Sequence, residues 1–218
     1  MQIRVVMLAD FDYFFAQCEE LRNPALKNKP VVVGVYSGRT EDSGAVSTSN
    51  YFAREHGVKS GMPLYLAKKR LEGTEAVFMP VDDKFYEQIS NRIMQIFRGY
   101  ADNFEQDSID EAYLDVTKRT EGSFEVARDI AKKMKNDVEK NVGIIFSVGI
   151  GPNKLIAKIA ADSQKPNGLT VVKPEEIERF LLDLPVNRLV GIGRKTAKKL
   201  SELGLKTVGE FRRRKKII

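Results

Sequence analysis

Two acidic stretches far apart in the chain hold the side chains best suited to chemistry. They are Asp10 and Asp12, in Ala9-Asp10-Phe11-Asp12-Tyr13, and Asp110-Glu111, in Ser108-Ile109-Asp110-Glu111-Ala112-Tyr113-Leu114-Asp115. Residues 103–107 and 112–116 read as strands, which makes a hairpin with both carboxylates of Asp110-Glu111 at its tip. Adjacent acids at a tight turn repel each other, so one reading supplies a cation to neutralise them and the other leaves a solvated acidic turn. The upstream acids favour the cation. The run from Gln2 to Ala9 is strongly apolar and ends in Asp-x-Asp, the pattern of a ligand site at a strand's carboxyl end. Paired beside the hairpin, this strand would bring Asp10, Asp110 and Glu111 to one point. Carboxylates without a matching His or Cys cluster suit a hard cation such as Mg²⁺. Two such ions are the usual apparatus of in-line phosphoryl or nucleotidyl transfer. Asp12 reads better as the N-cap of a helix starting at Tyr13.

The elements that must position these acids follow from composition and periodicity. The chain has 218 residues, 42% hydrophobic and 30% charged, enough for one large domain and a small one and too apolar for a disordered chain. A net charge of +6 and a pI near 9.3 suit a polyanionic partner. The single cysteine, Cys18, cannot close an internal disulfide and reads as a buried thiol on the apolar side of a helix. The only histidine, His56, has no second ligand near it and reads as a helix-end residue. The N-terminal apolar run is short, contains Arg4 and ends in acids, unlike a signal peptide, and no stretch is long enough to span a membrane. The expectation is a soluble, cytoplasmic protein in a reducing compartment.

Helices are expected over residues 13–21, 49–56, 63–71, 83–100, 124–138 and 153–161, and strands over 30–36, 76–80, 142–149 and 169–172 besides those already named. Residues 37–43 read as a Gly/Ser/Thr-rich loop. This alternation predicts an α/β (α+β) sheet of the split βαββαβ, ferredoxin-like kind, with residues 13–73 inserted between its first two strands. Beyond Lys173 the chain turns basic, and residues 189–200 read as helix, Gly-x-Gly hairpin and helix. Gly191 and Gly193 would turn with positive φ and approach a phosphate, with Arg194, Lys195, Lys198 and Lys199 beside them. The run Arg212 to Lys216 reads first as a solvated linker and second as another phosphate contact.

The stretch from Ala9 to Glu20, Ser43-Gly44-Ala45-Val46-Ser47-Thr48-Ser49-Asn50-Tyr51-Phe52-Ala53-Arg54, the stretch from Ser108 to Asp115, and Lys165-Pro166-Asn167-Gly168 stand in an order that resembles the Y-family DNA polymerases. The likeness is to the archaeal DinB-like, polymerase IV type and covers nearly the whole chain. It implies a palm over residues 1–12 and 74–172, fingers over 13–73, and a helical thumb over 173–218 with a helix-hairpin-helix. It implies two Mg²⁺ ions, with Mn²⁺ as a substitute, held by Asp10, Asp110, Glu111 and the carbonyl of Phe11. The nucleotide would meet Phe14, Phe15, Thr48, Tyr51, Arg54 and Lys165, and the spacing of Thr48, Tyr51 and Arg54 would put those three on one face of a helix's first turns. By the same resemblance Phe15 is a steric gate against the ribose 2′-hydroxyl, although on its own it would read as a core aromatic. Gly44, Ala45 and Ser47 would roof the nascent base pair with small side chains, which tolerate distorted templates. Gly191, Gly193, Arg194, Lys195 and Lys198 would hold DNA. The implied activity is low-fidelity, translesion, template-directed DNA synthesis from dNTPs on primer-template DNA by a monomer. Family members continue into a little-finger domain, so the chain is expected to be truncated before it, with any sliding-clamp contact lying in the missing region. Ala9 stands where a larger aliphatic residue is usual. Two rivals are a non-catalytic DNA-binding accessory subunit, which the intact acids disfavour, and a nucleotidyl cyclase, which would leave the basic hairpin without a purpose.

Overall fold

A computed structural model describes residues 3–40 and 42–215. Gln2, the first residue of the expected N-terminal strand, and Lys216, the last of the basic run, lie outside the described residues. The elements are β1 (Val6–Phe11), α1 (Phe14–Arg22), β2 (Val31–Tyr36), β3 (Gly44–Ser49), α2 (Tyr51–Glu55), α3 (Leu64–Arg70), β4 (Val77–Pro80), α4 (Asp83–Tyr100), β5 (Asn103–Gln106), β6 (Glu111–Asp115), α5 (Phe124–Val142), β7 (Phe146–Gly151), α6 (Lys154–Ser163), β8 (Leu169–Val171), α7 (Ile177–Leu182), α8 (Arg194–Glu202) and α9 (Val208–Lys215). The chain divides into two compact units. One takes the residues up to Asp10, Phe97–Asn136 and everything from Phe146 onward, and the other takes Phe11–Ile96 and Asp137–Ile145.

The first unit is built on a five-stranded sheet of order β5-β6-β1-β7-β8. The four strands β1, β5, β6 and β7 have the neighbours expected of a split βαββαβ fold, and β8 is added in parallel beside β7. β1 is buried along its whole length, as a central strand must be. Side chains alternate across a strand, so Val6, Leu8 and Asp10 share one face, and Tyr113 and Glu111 of β6 share it with them. Val6, Leu8 and Tyr113 cluster with Ala157 and Ala161 of α6, so this is the face that α6 covers. The helix lies unusually close: a Cβ on Gly149 of β7 would stand 2.0 Å from the Ala157 carbonyl oxygen and 2.2 Å from the Ala161 nitrogen. Only glycine permits that approach.

After β8, α7 sets Ile177, Phe180 and Leu181 against Ile156, Ala160 and Val172. From residue 174 onward only Val186 and Leu205 are buried hydrophobics among the described residues. The segment is therefore mostly surface.

The second unit contains a three-stranded sheet of order β3-β2-β4. Two expectations change here. Val77–Pro80 was expected as the second strand of the ferredoxin-like sheet, but β4 runs parallel to β2, pairing Val31 to Gly34 with Val77 to Pro80. Residues 44–49, expected outside any strand, form β3 antiparallel to β2. Small Gly, Ala and Ser residues carry little strand signal of their own, and the long-range partner decides.

Candidate active site

Asp10 and Glu111 are brought together by strand register. They are backbone partners at the end of the β1–β6 ladder, at the close of the row that α6 covers. Glu111 is therefore the first residue of β6 and not part of the turn, and its backbone oxygen accepts from the N–H groups of Asp107 and Ser108 at 3.0 and 3.2 Å. Asp110 stays in the turn, where its carboxylate accepts a 2.7 Å hydrogen bond from the Ser108 hydroxyl. Among the described residues no three His, Cys, Asp or Glu side chains gather as a cage for a metal ion. The structure thus places Asp10 beside Glu111 and leaves Asp110 turned to its own loop.

Ammonium groups lie on the two paired acids instead. Lys165 contacts Asp10 at 2.6 Å and Asp162 at 3.1 Å. Lys158 contacts the Glu111 carboxylate. Burial pushes Asp10 up to about 7, with Glu111 and Asp162 acting in the same direction and Lys165 opposing them. Lys165 and Lys158 are both raised: burial works against their charge, and the carboxylates they touch outweigh it. Each site lysine is thus held as a cation and each acid has a positive neighbour. Sequence reasoning found Lys165 but missed Lys158. The signal was available in Lys154 and Lys158, four apart on a helix that is otherwise rich in Ile and Ala.

In the second unit, Phe11 and Phe14 are buried with ring centroids 4.8 Å apart. Phe15 is half-buried and stacks at 4.4 Å on Tyr86, whose hydroxyl donates to Glu19 at 2.8 Å. Asp12 is buried but does not cap α1. The N-cap is Tyr13, in the left-handed region at φ 38°, with no side-chain capping bond. Tyr51 meets Tyr13 edge-on at 5.3 Å, and the Arg54 guanidinium lies 4.8 Å over the Tyr51 ring while its Nε donates to the Ser49 carbonyl at 2.8 Å. Thr48, expected on the same helical face as Tyr51 and Arg54, lies instead on β3 opposite Val33. The helix is only Tyr51–Glu55.

Asn50 caps that helix and does more. Its side-chain oxygen accepts from Ala53 N and Val31 N, and its amide nitrogen donates to the Lys29 carbonyl and to Glu20. Cys18 is buried, and its burial raises the thiol well above its usual range, consistent with a structural role. His56 closes α2 as its C-cap.

In the C-terminal segment Gly191 has φ +88°, whereas Gly193 sits at φ −78° as the N-cap of α8, so only one of the two glycines uses a left-handed conformation. The element before the turn is a single 3₁₀ turn at Val186–Arg188 and not a full helix. Arg194, Lys195 and Lys198 are exposed along α8. Arg212 to Lys215 are helical in α9 and not an extended linker, with Arg212 paired to Glu178 at 2.8 Å.

Residues 9–162 match the impB/mucB/samB family, and residues 174–205 match the IMS family HHH motif. DNA polymerase IV of Nitrosopumilus maritimus is 51% identical over 214 residues, which cover 98% of this chain and 59% of that protein. DNA polymerase IV of Metallosphaera sedula is 50% identical over 206 residues, covering 94% and 58%. Among solved structures, the crystal structure of DinB from Sulfolobus solfataricus superposes with a TM-score of 0.88 at 48% identity, over 93% of this chain and 58% of that one. An insertion ternary complex of Dbh DNA polymerase gives 0.88 at 49% identity with the same coverage. The chain thus spans just under three fifths of the length of these relatives. Both the sequence match and the shared architecture lead to one assignment: the chain belongs to the impB/mucB/samB family, that of the Y-family DNA polymerases.

Proposed function

We propose that this chain carries the catalytic part of a template-directed DNA polymerase, one that copies damaged templates at low fidelity. The observation that carries the reading is buried Asp10 held in register against Glu111, in a chain of this family. The names of the relatives support it: the curated ones are DNA polymerase IV, and one solved neighbour is an insertion ternary complex of a DNA polymerase. The proposed palm is residues 1–12 and 74–172, the proposed fingers 13–73 and the proposed thumb 173–218; β4, within the palm range, pairs with β2 of the fingers range.

The donors suit a hard divalent cation. They are carboxylate oxygens without imidazole or thiolate, and buried Asp10 needs a positive neighbour, the place Lys165 fills here. Asp10, Asp110, Glu111 and the Phe11 carbonyl are the groups that would hold a pair of Mg²⁺ or Mn²⁺ ions. When bound, such ions supply activation of a primer 3′-hydroxyl and neutralisation of triphosphate charge. Lys165, Arg54, Tyr51 and Thr48 bind the phosphates, with the chain at Phe14 and Phe15 beneath the sugar. The Phe15 ring excludes a 2′-hydroxyl. Gly191, Gly193, Arg194, Lys195 and Lys198 grip the DNA backbone without reading its sequence. A sliding clamp is a further proposed partner, the proposed state is a monomer, and the proposed compartment is the cytoplasm. Among the described residues no helix is long and apolar enough to cross a membrane.

Primer extension with Mg²⁺ and dNTPs tests the reading. The chain should extend a primer, and Asp110→Ala should lower the rate by about a thousandfold. No extension by the unmodified chain, or undiminished extension by Asp110→Ala, overturns it. Phe15→Ala should admit ribonucleotides, and unchanged sugar selectivity would remove the gate role.

A further inference from the structure

Lys158 has no role in the proposed reaction, yet its ammonium lies on the Glu111 carboxylate with the side chain 24% exposed. It reaches that point because α6 presents Lys154 and Lys158 one turn apart toward the β5–β6 hairpin: Lys154 pairs with Glu105 and lies 5.0 Å from the Tyr113 ring centre. The tight approach of α6 to β7 at Gly149 fixes the helix, so the placement of Lys158 follows from the packed core. Asp10 and Glu111 are partners across the ladder, and two carboxylates facing each other on one sheet face repel. Lys165 answers the charge of Asp10, and Lys158 answers that of Glu111.

We infer that Lys158 is an internal counter-ion for Glu111, a positioning residue that holds the carboxylate toward α6 until a divalent cation displaces its ammonium. Lys158 lies on the Oε2 oxygen of Glu111, and an ammonium and a metal ion compete for that atom, so an ion bound through Oε2 must move Lys158 aside. Lys158 therefore lowers the affinity for divalent ions while stabilising the metal-free fold. The inference rests on the metal site proposed above, and the experiment separates the two.

The test is calorimetric titration of the chain with Mg²⁺ and with Ca²⁺, alongside thermal unfolding in chelator. Lys158→Met and the shorter Lys158→Gln should both unfold at lower temperature without divalent ions and bind Mg²⁺ about tenfold more tightly, within the usual range of coupling between two sites. Lys158→Arg, which keeps the charge, should stay close to the unmodified chain in both measurements. Lower unfolding temperature with unchanged or weaker Mg²⁺ binding in both neutral variants overturns the inference and leaves the metal site standing. If the unmodified chain shows no saturable uptake of Mg²⁺ that Asp10→Ala abolishes, the metal site itself falls, and the inference with it.

Discussion

The β1–β6 ladder ends in a carboxylate at each side, and the two ends are built in opposite ways. Asp115 stands across from Val6. It accepts from the Thr117 N–H at 3.0 Å and from Arg4 at 2.9 Å. Burial raises its pKa, but Thr117 and Arg4 more than offset this and hold the carboxyl below its usual range. At the other end Asp10 is buried with the Lys165 ammonium as its ion-pair partner, yet burial still pushes it up to about 7. A carboxylate surrounded by fixed donors is already satisfied and serves the fold. One that is buried beside another carboxylate, with Lys165 as its ion-pair partner, lacks that set of donors. Position on the same two strands does not decide which is which; the supply of donors does.

The contrast breaks most sharply in activity. Asp10→Ala should lower primer extension by about three orders of magnitude, whereas Asp115→Ala should leave the rate per folded molecule within about twofold. A comparable loss in both, measured on samples shown by circular dichroism to be folded, would mean that the two ends are not functionally distinct. Next in size is Gly149→Ala, where the new Cβ meets backbone atoms at 2.0 Å and 2.2 Å and cannot be relieved by a side chain turning away. It should cost about 3 kcal/mol in urea unfolding and carry α6, with its lysine, away from the acids. The smallest effect is in pH dependence. Because the folded pKa of Asp115 lies below its unfolded value, its contribution to stability is complete above the ordinary carboxylate range and is lost as pH falls through and below that range. The stability gap between the unmodified chain and Asp115→Asn should therefore narrow between pH 6 and pH 3, and a gap of constant width would remove the charge from the account.

Much of this arrangement was legible in the residues. The apolar run ending in Asp10 and the turn signal around Asp110-Glu111 pointed to the paired strands, because alternation and turn chemistry are local signals, but Glu111 proved to be the first strand residue and not part of the tip. The ferredoxin-like class followed from the succession of strands and helices, although the strand expected second joined the other sheet. What escaped was non-local. Nothing within Val77–Pro80 says which sheet it will join, and the Gly, Ala, Ser and Thr residues of β3 are as much loop as strand until β2 lies beside them. Thr48 was misplaced for the same reason. The left-handed conformation of Tyr13 displaced Asp12 from the cap, a backbone feature that aromatic residues rarely advertise. Register sets Asp10 across from Glu111, while Asp110 lies in the turn with its carboxylate on the Ser108 hydroxyl.

Asn50 has a further consequence. A helix of five residues cannot hold itself together in water, so α2 borrows its order from what surrounds it. The lender is a single amide whose bonds tie the start of that helix to the start of β2, to the Lys29 carbonyl and to Glu20 of α1. The helix that carries Arg54 thus depends on a neutral side chain that would never be picked out by its chemistry alone.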